Sequence, residues 1–113
     1  MRMIKDGVDV SRLMPEIWVG LDILHDALQE LGYNLTITAG SEGSHGYGSL
    51  HYIGAAADIR SKMIKSETEK RKVFDIIKTQ LPSGFDFVYE PTHYHLEYQP
   101  KNRSEVIQCN QNK

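Results

Sequence analysis

The chain has 113 residues, of which 40% are apolar and 25% charged, a size and balance suited to one globular domain with a single core. Its net charge of −2, with both signs interspersed, gives no reason to expect a nucleic-acid partner. The single cysteine, Cys109, excludes an intramolecular disulfide and a thiolate metal cage, so any bound metal must be held by nitrogen and oxygen.

At the N-terminus, Met1-Arg2-Met3-Ile4-Lys5-Asp6 has no apolar run of the signal-sequence kind, and no stretch is long and apolar enough to span a bilayer. The expectation is synthesis in the cytoplasm without a signal peptide, with release by a separate route if the protein acts on a cell wall. From Pro15 onward, Ile17, Leu21, Leu24, Leu28 and Leu31 follow the helical repeat, with Glu16, Asp22, Asp26 and Glu30 between them. Pro15 suits a first turn and Gly32 a stop. His25 lies on this helix and is read as structural or exposed. Asn34 to Thr38 alternates polar and apolar with β-branched residues, which predicts a strand.

Ala39 to Ser49 is rich in glycine and serine and reads as a loop, long enough within a small domain to suggest function. Ala55 to Ile59 resumes as a buried strand. Ser66 with Glu69 three residues on is a capping-box pattern opening a second helix. Val73, Ile76, Ile77 and Leu81 form its apolar face, the basic run Lys70-Arg71-Lys72 a solvated one, and Pro82-Ser83-Gly84 its end. Phe85 to Tyr89 and His93 to Tyr98 read as strands joined through Pro91-Thr92. Residues 1–100 are expected to form one domain and the polar residues 101–113 a loosely ordered tail. The fold class expected is α+β: a small antiparallel sheet with helices on one face and a site on the other.

Four of the five histidines fall in two short segments, His45 with His51 and His93 with His95, and Asp58 follows His51 by seven positions. Imidazole nitrogen and carboxylate oxygen are zinc donors, and two histidines with one carboxylate leave a coordination position open for water. Residues two apart on a strand share a face, so His93 and His95 project together while Tyr94 and Leu96 point away. Taken singly, each residue also has a plain reading as a surface or hydrogen-bonded side chain.

The segment Ser49-Leu50-His51-Tyr52-Ile53-Gly54-Ala55-Ala56-Ala57-Asp58-Ile59 resembles the Ser-x-His-x-x-Gly-x-Ala-x-Asp signature of M15-type zinc peptidases. That superfamily includes D-alanyl-D-alanine carboxypeptidases and phage endolysins that cut L-alanyl-D-glutamate bonds. Gly84-Phe85-Asp86-Phe87-Val88-Tyr89-Glu90-Pro91-Thr92-His93-Tyr94-His95 resembles the Glu and His-x-His half of the same superfamily. Both segments are also similar to the hedgehog signalling domain, which carries a histidine six before the first ligand, as His45 stands before His51. The resemblance covers Leu35 to Tyr98.

It implies a zinc ion held by His51, Asp58 and a third ligand. In the His-x-His pattern that ligand is His95, with His93 beside the bound water. Tyr89-Glu90-Pro91-Thr92-His93-Tyr94 also resembles a carboxypeptidase run in which the equivalent of His93 binds the metal. His95 is preferred because Leu-Glu-Tyr follows it. Glu90 matches the family's general base, and His93 and His45 would supply a second charge or hydrogen bond to the oxyanion. Ser49 is expected to support a ligand or the loop backbone, Gly54 to fill a tight backbone position, and Tyr52 and Arg60 to touch substrate. One departure is Thr38-Ala39-Gly40-Ser41-Glu42, which lacks the arginine many such enzymes carry there. This weakens a strict carboxypeptidase reading and leaves an endopeptidase open. The expectation is a monomeric zinc metallopeptidase acting on peptidoglycan peptide, of phage or prophage type. The alternatives are a catalytically inactive, partner-binding zinc module of hedgehog-like fold and a metal-free α+β domain.

Overall fold

The computed structural model describes residues 2–42 and 54–99, with the backbone alone at Arg2. In chain order the elements are β1 (Arg2–Ile4), α1 (Pro15–Glu30), β2 (Leu35–Ala39), β3 (Ala56–Arg60), α2 (Glu67–Gln80), β4 (Phe85–Tyr89) and β5 (His93–Tyr98). The five strands form one sheet in the order β1-β2-β3-β5-β4. Sequence periodicity locates both helices and four of these strands, with β4 and β5 matching their expected bounds and β2 and β3 displaced by one residue. The tail 101–113 and residues 43–53 of the glycine-rich region lie outside the described residues.

Helix α1 begins where Pro15 tolerates the missing amide donor, and its N-cap, Met14, contributes no side-chain bond. The Met14 amide instead donates to the Gly54 carbonyl at 3.0 Å, tying the helix start to the chain entering β3. Ile17, Leu21, Leu24 and Leu28 are fully buried, each worth about 1.5–3 kcal/mol relative to exposure. Leu31 departs from expectation: at the C-cap it is beyond the inward stripe and is 37% exposed. α2 opens as its capping pattern predicts, the Glu69 amide donating to Ser66 Oγ at 3.1 Å. Its buried residues are Val73, Phe74 and Ile77, while Ile76, expected on that face, is half-buried. The basic run is not wholly solvated, since the Arg71 guanidinium lies 4.3 Å over the Tyr89 ring.

Both helices pack on the same face of the sheet. Gly20 of α1 approaches so closely that an added Cβ would stand 2.7 Å from the Phe85 ring and 2.9 Å from Leu96. Phe74 of α2 stacks on Phe87 with centroids 4.9 Å apart and meets Tyr94 at 5.9 Å. Ile37, Ala57, Ile59, Tyr94 and Leu96 complete this face with no exposed surface. Tyr94, sealed there, donates its hydroxyl to the Lys70 carbonyl at 2.6 Å, and burial drives its phenol pKa far up.

The sheet corrects the expectation of a purely antiparallel arrangement. It is mixed, because β1 pairs parallel to β2 over Arg2↔Leu35, Met3↔Thr36 and Ile4↔Ile37. A three-residue edge strand shows no period from which its pairing is legible. Among the described residues, no helix is long and apolar enough to cross a membrane.

Candidate functional site

The face of the sheet away from the helices carries Asp58, Arg60, His93 and His95, four of the polar residues that the sequence singled out. β3 and β5 are antiparallel, with Asp58 opposite His95 and Arg60 opposite His93. Directly opposed residues on such a pair share a face and bring their side chains together. A register irregularity between Ile37 and Ala39 places the small Ala39 across from Asp58 on the other flank. Bulges of this kind redirect side chains beside sites.

Asp58 is the hub. Its Oδ1 stands 2.7 Å from His95 Nδ1, and its Oδ2 lies 3.6 Å from His93 Nε2. The His95 and Asp58 side chains are each 17% exposed and that of His93 29%, so the Asp58–His95 pair is the more enclosed. His93 Nδ1 lies 3.0 Å from Thr92 Oγ1, which leaves its Nε2 turned toward Asp58.

Glu97 is a site residue absent from the sequence-based candidates. Its Oε1 lies 2.8 Å from His95 Nε2, so His95 is held between two carboxylates, one at each ring nitrogen. The signal was available: 93, 95 and 97 continue the same period of two, and Glu97 is its next polar member. A carboxylate on the far nitrogen of a ligating histidine orients the ring and raises its basicity, and removing it costs about 10–100-fold in metal affinity. If His95 ligates a metal, Glu97→Gln is expected to weaken its binding by that factor in a competition titration, with the fold intact. An unchanged affinity would detach Glu97 from the site.

The Asp58 hydrogen bond, the strongest influence on His95, raises its pKa; partial burial pulls the other way, and Glu97 adds to the rise. In the metal-free protein this charged interaction contributes stability that is fully present below the unfolded value near 6.5 and is lost as pH rises through the higher folded value. Metal requires the unprotonated nitrogen. Were a metal bound through His95, its affinity would fall as pH drops through the raised value, with proton release on binding. Calorimetry in buffers of different ionisation enthalpy reads that release, and an affinity constant from about pH 5 to 8 would contradict it.

Glu90 sits where β4 turns into β5, and its amide donates to the His93 carbonyl at 3.0 Å, closing the hairpin over Pro91-Thr92. Val88 pairs with His95 and Tyr89 with Tyr94, so the alternation carries Glu90 to the face of His93. Arg60 ends β3 on that face and lines, with Asp58 and His93, a cavity of about 280 Å³. His25 is half-buried on α1, its Nδ1 3.2 Å from Asp26 Oδ1, well outside the cluster. His45, Ser49, His51 and Tyr52 lie outside the described residues; Gly54, next in the same motif, is described. It adopts φ +81°, and a Cβ there would stand 2.0 Å from the Arg12 carbonyl oxygen.

Among the described residues, no group of three or more His, Cys, Asp or Glu side chains is arranged to hold a metal by itself. The donors present suit zinc in kind, being imidazole nitrogen and carboxylate oxygen without a thiolate. Comparisons of the chain with protein-family models and with curated proteins give no match. The resemblance to zinc peptidases rests on the two quoted sequence motifs alone.

Proposed function

We propose that this protein is a zinc-dependent peptidase that hydrolyses an amide bond in bacterial cell-wall peptide. The observation that carries the reading is the Asp58–His95 pair, two zinc-type donors 2.7 Å apart on the face opposite the helices, with His95 buttressed by Glu97. His51, Asp58 and His95 are the proposed ligands. Glu97 favours His95 over His93, because it fixes the ring with Nδ1 toward Asp58.

Held by His51, Asp58 and His95, a zinc ion would supply Lewis acidity and a water of near-neutral pKa. The remaining work falls to the chain's own side chains. The Glu90 carboxylate takes a proton from the attacking water and delivers it to the leaving amine nitrogen. His93 Nε2, on the same face, donates to the carbonyl oxygen as negative charge develops, a role His45 would share. Thr92 Oγ1 steadies the His93 ring from the other nitrogen.

The test measures zinc content and turnover together. Purified protein incubated with peptidoglycan is expected to release peptide fragments identifiable by mass spectrometry, to stop on chelation and to recover with zinc. His95→Ala is expected to lose stoichiometric zinc and His93→Ala to keep it; the reverse result would exchange their roles. Protein that binds zinc and releases no fragment would instead support a partner-binding module.

A further inference from the structure

We infer that Tyr89, gripped by Glu67 and Arg71 of α2, is a positioning residue that sets the place of Glu90 beside the proposed zinc ligands. The inference rests on the peptidase reading and adds residues that act through Glu90 without touching substrate. β4 is the last strand of the sheet, paired on one flank with β5, and Tyr89↔Tyr94 is its final ladder pair. Beyond that pair, the Glu90 amide donates to the His93 carbonyl at 3.0 Å and closes the turn through Pro91 and Thr92. The end of a strand held on a single flank opens readily. Tyr89 supplies a second restraint, from the helix side.

The Tyr89 hydroxyl donates to Glu67 Oε1 at 2.5 Å, the length of a charge-assisted bond. That bond is the main cause holding the Glu67 carboxyl below its usual pKa, so the acceptor is ionised at neutral pH. Glu67 is the first residue of α2, where the helix dipole favours a negative charge, and Lys70 Nζ stands 3.5 Å from its second oxygen. The Glu67 side chain is 75% exposed, so solvent screens this bond and the ring must carry part of the grip. The Arg71 guanidinium lies 4.3 Å over the ring face. Phe74 and Tyr94 meet the ring in edge geometry, with centroids 5.7 and 5.9 Å away. The helix is itself tied to β5, since the Tyr94 hydroxyl donates to the Lys70 carbonyl. Strand alternation turns Tyr89 toward the helices and Glu90, the next residue, toward the face of His93. Asp58 and His95 are fixed separately, by the β3–β5 ladder. Releasing Tyr89 therefore shifts the general base and leaves these two proposed ligands in place.

The experiment compares Tyr89→Phe, Glu67→Ala and Glu67→Gln in the full chain, purified and zinc-loaded, with cell-wall peptide as substrate. In Tyr89→Phe and Glu67→Ala, kcat is expected to fall about tenfold, the scale of a small misplacement of a reacting group, with KM and zinc content unchanged. The double variant Tyr89→Phe/Glu67→Ala should lose no more than either alone, because both remove the same bond. Glu67→Gln keeps an acceptor for the hydroxyl and should recover most of the loss. In a Glu90→Gln background, Tyr89→Phe should cost nothing further; an added loss there overturns the positioning role. A second arm reads amide hydrogen exchange without turnover. The Glu90 amide should exchange about three- to tenfold faster in Tyr89→Phe and Glu67→Ala, with the β3 amides unchanged. Unaltered exchange at Glu90 overturns the inference whether or not peptide is cut. Unaltered kcat in both variants of an active protein overturns it and leaves the peptidase. Faster exchange confined to the hairpin, in a native protein that cuts no peptide, removes the peptidase and leaves Tyr89 as the residue that holds Glu90 in place.

Discussion

If the protein works as the proposed zinc peptidase, Glu90→Gln is expected to retain full zinc content and a native melting temperature while kcat falls by about 10²–10⁴-fold, the usual contribution of a general base. The glutamine keeps the backbone bond that closes the hairpin, since the Glu90 amide, not its side chain, donates to His93. Its side chain has the same shape and can still accept a hydrogen bond, but it cannot take up a proton. The predicted loss is therefore confined to the chemical step, with KM nearly constant. Single-turnover cleavage of a cell-wall peptide, with zinc measured on the same sample, checks it. Activity within a factor of about three of the native protein would remove Glu90 from the mechanism and direct attention to Glu97 or Asp58.

The largest expected effect on stability is at Gly54. Gly54→Ala is expected to destabilise the protein by about 2–5 kcal/mol, combining left-handed backbone strain with an overpacked contact. Gly54 has φ +81°, and an added Cβ would stand 2.0 Å from the Arg12 carbonyl oxygen and 2.9 Å from its carbon. Both of these atoms are backbone, so relief requires moving chain rather than rotating a side chain. The Gly54 carbonyl also accepts the Met14 amide at the start of α1, which couples any shift to the helix. Urea unfolding should show the loss as a lower midpoint with an unchanged slope. A change below about 0.5 kcal/mol would mean that the segment relaxes freely there. Position 54 thus has a structural reason to be glycine, independent of any metal.

Much of this molecule is legible from local pattern. The Ser66–Glu69 capping signal, the inward stripe of α1 and the alternation of β5 each depend on residues within a turn or two of one another. The cap and the alternation of β5 are found where the pattern puts them, and the stripe of α1 holds except at Leu31. Two features needed more than local pattern. β1 is three residues long and gains its identity from a parallel pairing with β2 more than thirty positions away. Glu97 follows the period of β5, but its role emerges only when its oxygen is seen against His95 Nε2.

The sequence by itself determined which side chains share a face, because the period of a strand is set by each residue's own backbone geometry. It therefore placed His93 and His95 together and sent Tyr94 and Leu96 into the core, where both are fully buried. Only the tertiary structure decided that Asp58, thirty-seven positions from His95, stands directly across from it. Register between strands is chosen by the packing of the whole sheet on its helices, a long-range property that the period of a single strand does not encode.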